Sequence, residues 1–329
     1  MNKLDATSLY NIHRSIKHFI HKTPLITCDT FSKITETKNL YFKCENFQKT
    51  GSFKLRGATY ALQTYITRAL RMNQPIDNLE IITHSSGNHA SALSYAGNLF
   101  GVKIRVVMPN NGPSAKREAV RTYGGEITFC EPTQQARELT TELIMAKKPM
   151  QLVHSSDNYL IIGGQTTVAY EIFKEIGDLD YILTPLGGGG LLAGTCLSAL
   201  HFSPRTKVIG VEPALANDAY LSFKSGAIHP PLPPLTIADG LRIGVGVRNF
   251  EIMQKHLHDI ITVDEEEIMR ATFLIWERMK IVVEPSSATT LAALIKYRKM
   301  FRKKNVALVL SGGNVDLRNL PFSRDLIEL

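Results

Sequence analysis

Short apolar runs alternate with stretches of helical periodicity along nearly the whole chain, and this constrains the fold more than any single motif does. Strands are expected at residues 40–44, 80–83, 103–108, 126–129, 181–184, 207–211 and 306–310, and helices at 90–100, 113–123, 133–146, 165–176, 191–200, 265–279 and 287–302. That order is the pattern of βαβ units: an α/β protein with open, mostly parallel twisted sheets and helices on both faces. At 329 residues the chain has room for about two domains of ~150 residues. No tandem repeat or low-complexity tract interrupts it, and HPPLPPL (229–235) reads as a stiff connector.

Three polar, glycine-containing loops follow expected strands directly: THSSGNHAS (83–91), PLGGGGLLAG (185–194) and LSGGNVD (310–316). Ligands of open α/β sheets sit at the carboxyl ends of strands, so convergence of such loops is what a ligand site needs. Gly187, Gly188, Gly189 and Gly190 let backbone N–H groups approach an anion closely, and LLAGTCLSAL then opens a helix whose N-terminus adds positive potential. The ending of a nucleotide P-loop and the spaced glycines of a dinucleotide fingerprint are both missing. Taken alone, four glycines are also compatible with a flexible turn.

Lys54 stands in FQKTGSFKLRGA (47–58), between Phe53 and Leu55 and just after a Thr-Gly-Ser turn signal. Alone it would pass for a snorkelling surface lysine. A phosphate cradle without nucleotide motifs, together with a flanked lysine, suggests instead pyridoxal 5'-phosphate. That cofactor needs a lysine for its aldehyde, a phosphate site and a partner for its ring nitrogen.

Charge and composition exclude other classes. Net charge is +8, much of it from six basic residues between Lys296 and Lys304, which read as the solvated end of a helix and not as a nucleic-acid site. Four scattered cysteines suit a reducing compartment, and the charged N-terminus lacks an apolar signal core, so a cytoplasmic protein is expected. Residues 181–200 carry no charge, but Pro185 and four glycines argue against a membrane span.

The segments KCENFQKTGSFKLRGA, THSSGNHASALSYAG, PLGGGGLLAG, IADG, WERMKIVVEPSSA and LSGGNVD resemble those of the pyridoxal-phosphate serine/threonine dehydratases, most closely the serine racemase branch. The resemblance runs from about residue 23 to 317. It implies the tryptophan-synthase β-type fold (fold type II), with a large domain (1–79 and 158–329) and a small mobile domain (80–157). Carried over by position, Lys54 would hold the cofactor as a Schiff base and act as general base, with Phe53 beneath the ring. Asn88 would bond the phenolic oxygen, residues 187–190 the phosphate, and Ser311 would face the ring nitrogen. Ser85, Asn88 and His89 would bind the substrate carboxylate, joined by Arg137 from the small domain. His89 alone reads as a helix-start histidine, and Arg137 as an exposed helix arginine. Ser86 would lie across the cofactor from Lys54, where a second proton carrier permits racemisation; its plainer reading is a helix cap.

The resemblance also implies a divalent cation site (Mg²⁺ or Ca²⁺) from Glu212, the Ala216 carbonyl and Asp218, a hard oxygen set. Lys116 and Tyr123 match positions that bind ATP as an effector in animal-type racemases, and a homodimer is expected. The sequence departs from the family where HSSDN (154–158) replaces HPN or HPFDD, so that Ser156 stands for an asparagine, where GGQTT (163–167) replaces GQGT, and at Ile243, which replaces a serine. The absence of room for a regulatory domain after the resemblance suggests the short, catabolic form. The leading expectation is dehydration of L-serine or L-threonine to pyruvate or 2-oxobutyrate plus ammonia. The alternative is a racemase of L- and D-serine using Lys54 and Ser86, and a remote one is a protein that binds the cofactor without catalysis.

Overall fold

The computed structural model describes residues 4–317 apart from Ser86, Gly112, Pro113 and Pro234, together with the backbone alone of Ala115 and Gln134. Among the described residues ten strands form two sheets: β1 Leu25–Thr27, β2 Asn39–Cys44, β3 Glu80–His84, β4 Lys103–Pro109, β5 Glu126–Cys130, β6 Gln151–Leu152, β7 Tyr181–Pro185, β8 Lys207–Pro213, β9 Asp259–Val263 and β10 Asn305–Leu310. The larger sheet runs β1-β2-β10-β7-β8-β9 and the smaller β5-β4-β3-β6. All pairings are parallel except β1 with β2. Central strands such as Tyr181–Pro185 are buried along their whole length, as expected of parallel strands covered by helices on both faces.

Every strand expected from the apolar runs is present. β1, β6 and β9 were not expected: three and two residues cannot show a period in β1 and β6, and β9 is a five-residue run that passes directly into the start of the next helix. The uncharged stretch 181–200 resolves into β7, the glycine loop and the helix Gly190–Phe202. Among the described residues no helix is long and apolar enough to cross a membrane. The helix expected from 265 to 279 turns into a π-helical turn at Ile275–Met279 and ends at Lys280 with φ +59°. The basic segment follows on from the end of the helix Pro285–Lys296, and three of its cations are paired: Lys296 with Glu267 at 2.7 Å, Arg302 with Glu36 at 2.8 Å and Lys304 with Asp180 at 3.6 Å.

Lys54, expected only to follow a turn and outside every expected helix, is the first residue of an 18-residue helix, Lys54–Arg71. No side chain caps this helix, so the usual start signal is missing. Gly57 lies within it because a Cβ there would come 2.5 Å from Gln165 Nε2 of the helix Tyr159–Ile176. The same contact holds a buried ionic network. Arg56, fully buried, forks onto Glu45 with Nε and Nη2 (both 2.8 Å) and onto Glu171 with Nη1 and Nη2 (both 2.8 Å). Lys43 adds a 2.6 Å bond to Glu171, so two buried cations answer two buried carboxylates. Arg56 lies two residues from Lys54, and the network fixes where that helix begins.

Candidate active site

The loops after β2, β3, β7 and β10 meet around a cavity of about 510 Å³ between the two sheets. β10 lies between β2 and β7, which explains why LSGGN is adjacent to both the segment leading into Lys54 and the glycine loop. The backbone stitches them together: Phe53 N–H donates to the Ser311 carbonyl (3.1 Å), and Ser52 bridges Gly312. Gly51, at φ +71°, must be glycine, because a Cβ would come 2.3 Å from Asn314 Oδ1.

Every cofactor and substrate residue expected from the sequence and described in the structure lines this cavity: Phe53, Lys54, Ser85, Asn88, His89 and Arg137, with the four glycines and Ser311. Ser86 lies outside the described residues. Lys54 Nζ donates to the Ser155 carbonyl at 2.9 Å and sits 5.0 Å from the Phe53 ring centroid. Burial pushes its pKa down to about 8, against a smaller opposing pull from Glu284. A lysine so placed is neutral much more often near pH 8 than one in water.

Residues 187–190 form the open cradle that their composition suggests. Among the described residues, nothing accepts from the N–H groups of Gly187, Gly188 or Gly189. The Gly188 carbonyl is pinned by Asn249 Nδ2 at 2.6 Å and by Gly246 N–H at 3.2 Å. Gly189 adopts φ +87° just before the helix Gly190–Phe202. Unpaired amides at a helix N-terminus fit a phosphate. Ser311 is buried, and its hydroxyl lies 3.1 Å from Ser287 Oγ, whose own proton is given to the Gly312 carbonyl at 2.6 Å. The residue set therefore fits pyridoxal phosphate: a depressed lysine, an amide cradle and a neutral hydroxyl.

His89 is buried with Nε2 3.4 Å from the Val153 carbonyl; burial, then the charge of Lys54, holds its pKa well below the usual imidazole range. It is a neutral ring. The Ser85 side chain accepts from Gly87 N–H at 3.4 Å. Arg137 lines the cavity and forms no ion pair with a described residue.

Sequence reasoning missed Glu284 and Asp239. Glu284 is buried, and both its oxygens accept from Asn88 Nδ2, at 2.8 and 3.1 Å. Burial first, then the Asp239 carboxylate, raises its pKa, while Lys116, Asn88 and Lys54 oppose that rise. Asn88 Oδ1 accepts from Asn314 Nδ2 at 2.9 Å, so this side chain is committed to Glu284 and Asn314. Asp239 pairs with Lys116, joining a helix of the smaller-sheet region to a loop of the larger-sheet region. Both acids stand in quoted segments, EPSSA and IADG, where an acid beside proline or glycine was the available signal. Lys116 and Tyr123 line a second cavity of about 350 Å³, which shares Asn88 and Glu284 with the first.

The expected cation residues lie behind the cradle, at the end of β8. Both Glu212 oxygens accept backbone N–H bonds, from Ala219 (3.1 Å) and Tyr220 (2.8 Å), and Asp218 accepts from Val245 N–H at 3.3 Å. Ala216 is buried between the two acids in sequence. Burial and the neighbouring Asp218 raise Glu212 well above the usual carboxyl range, and burial raises Asp218 to about 6. Among the described residues no group of three or more His, Cys, Asp or Glu is arranged for a metal. A cation here would take two carboxylates, with a carbonyl and water completing its shell, which suits a hard ion.

Comparison with known proteins agrees with this geometry. A serine racemase of Dictyostelium discoideum is 46% identical over 94% of this chain and 94% of its own length. A β-hydroxyaspartate dehydratase of Paracoccus denitrificans is 42% identical over 94% of this chain and 96% of its own. The crystal structure of a threonine deaminase from T.th. superposes with TM-score 0.86 at 38% identity, covering 95% of this chain and 99% of that one. The family model described as pyridoxal-phosphate dependent enzyme matches residues 16–312, which include all the described cavity residues from Phe53 to Ser311. The chain belongs to the pyridoxal-phosphate-dependent enzymes of fold type II, among the serine racemases and their dehydratase relatives.

Proposed function

We propose that the protein interconverts L- and D-serine and, as an accompanying reaction, dehydrates serine to pyruvate and ammonia. The observation that carries this reading is 46% identity with a serine racemase along nearly the full length of both chains. It moves the emphasis from elimination, the leading expectation from sequence, to racemisation. When bound, pyridoxal phosphate supplies the electron sink that acidifies the substrate Cα–H. Lys54 Nζ is the base that takes that proton on its own face, and its depressed pKa suits this task. The amide cradle and Phe53 orient the site, while Ser85, the helix start at Asn88 and Arg137 receive the substrate carboxylate. Ser86 is the proton carrier for the opposite face. Returning a proton there gives the enantiomer; loss of the β-hydroxyl as water, followed by hydrolysis, gives pyruvate and ammonia.

Incubation of purified enzyme with L-serine should yield both D-serine and pyruvate, and Ser86→Ala should lose D-serine first. Pyruvate without D-serine would return the protein to the dehydratases, and neither product would sink the reading. Arg137, with no ion-pair partner among the described residues, favours 3-hydroxyaspartate as a second substrate: it would take the β-carboxylate while Ser85 and the helix start at Asn88 hold the α-carboxylate. We further propose that Mg²⁺ or Ca²⁺ occupies the Glu212–Asp218 site and that ATP acts at the Lys116–Tyr123 cavity. The working form would be a cytoplasmic homodimer in which residues 80–157 move as a unit.

A further inference from the structure

The segment HSSD (154–157) joins β6 to the helix Tyr159–Ile176 and contributes Ser155 and Ser156 to the cavity lining. His154 organises it: Nδ1 accepts N–H bonds from Ser156 (3.2 Å) and Asp157 (2.8 Å), so the ring is neutral with its proton on Nε2. Burial, then His84, pushes its pKa down to about 4. The next carbonyl, Ser155, receives Lys54 Nζ. Ser156 follows, 2% exposed, lining the cavity and packed on the glycine loop. A Cβ on Gly188 would come 2.3 Å from Ser156 Oγ, and one on Gly190 would come 3.1 Å from the Ser156 carbonyl. Yet this buried hydroxyl has no hydrogen-bond partner among the described residues.

A buried hydroxyl without a partner is destabilising, and natural cores seldom keep one without a reason. Here the reason lies alongside it. The N–H groups of Gly187, Gly188 and Gly189 also lack acceptors among the described residues, and they belong to the loop against which Ser156 Oγ rests. One O–H and three N–H donors therefore gather at the N-terminus of the helix Gly190–Phe202. We infer that Ser156 donates its hydroxyl to the phosphate of pyridoxal phosphate, as a side-chain member of a cradle otherwise built from backbone. This rests on pyridoxal phosphate being the cofactor. His154 is the positioning residue that holds the serine backbone in place.

The test compares cofactor-free full-length protein with its Ser156→Ala variant, titrated with pyridoxal phosphate and separately with pyridoxal, which lacks the phosphate. Dissociation constants are read by equilibrium dialysis, and melting temperatures are taken without ligand. The variant should bind pyridoxal phosphate on the order of 10- to 100-fold more weakly, the range for a lost bond to a charged group. Its affinity for pyridoxal should stay unchanged, and without ligand it should melt no lower than the parent, because no internal bond is lost. Unchanged affinity for pyridoxal phosphate, equal weakening of both ligands, or a lower melting point without ligand would each overturn the assignment alone. A parent protein that takes up no pyridoxal phosphate would overturn the cofactor reading with it.

Discussion

Replacing Arg56 with methionine keeps most of the side-chain volume and removes the fork that joins Glu45 to Glu171. Four contacts of 2.8 Å to carboxylate oxygens vanish at once, together with 3.2 Å bonds to Thr23 and Thr167. Lys43 would then face two buried carboxylates without Arg56 to share them. Breaking a buried pair by deleting one partner costs about 3–5 kcal/mol, a large part of the roughly 5–15 kcal/mol that holds a typical domain. The loss should depend on pH in a stated direction. A stranded carboxyl has its folded pKa raised above the unfolded value of about 4.3. The folded variant then binds more protons than the unfolded chain, so its stability falls as pH rises through that window. Urea unfolding of Arg56→Met and the parent should show a smaller gap at about pH 5 than at about pH 7.5. Adding Glu45→Gln restores one-to-one charge and should recover about 1–3 kcal/mol. A gap below about 1 kcal/mol, or one that ignores pH and the second substitution, would refute the view that unpaired buried charge dominates here.

Three further outcomes can be checked. Gly188→Ala puts a methyl 2.3 Å from Ser156 Oγ and 2.9 Å from Ile243 Cδ1, a mismatch costing about 1–3 kcal/mol. It should therefore weaken pyridoxal phosphate binding by about 5- to 150-fold in the same titration. Uptake of pyridoxal phosphate by cofactor-free protein requires a neutral Lys54 amine, so stopped-flow rates should rise with pH around a midpoint of about 8. A midpoint near the ordinary lysine value would contradict the burial argument. Mg²⁺ should raise the melting temperature of the parent but not of Glu212→Gln, which forfeits one of the two carboxylates of the proposed site.

Candidates that local chemistry marks were legible in the sequence. Four glycines in a row suggest an anion cradle, and together with that cradle a flanked lysine suggests a cofactor anchor, while Ser311 entered only through the family resemblance. The fully buried strands were legible for a similar reason, as continuous apolar runs. The helix that begins at Lys54 was not: it lacks a cap, carries Gly57, and is held by Arg56, Glu45 and Glu171 from distant segments. Glu284 and His154 escaped notice because a proline beside the one and serines beside the other say nothing of burial or of partners distant in the chain. Glu284 acquires its raised pKa from burial and Asp239, and His154 its tautomer from the turn it closes. Tertiary placement defines both.

The pairing of β2 with β10 has a consequence for how the protein is made. The strand that leads into Lys54 has as its parallel partner the last strand of the larger sheet, and Asn39 aligns with Asn305. The Phe53 amide, the first fixed point before the lysine, bonds to Ser311. A nascent chain on the ribosome therefore carries its lysine for most of synthesis with one wall of the pocket still untranslated. Contacts so distant in sequence form late and slowly. The pocket is therefore completed only once Asn305–Leu310 has been made, and a chain truncated within that strand loses the partner of β2 and the Ser311 carbonyl that holds the Phe53 amide.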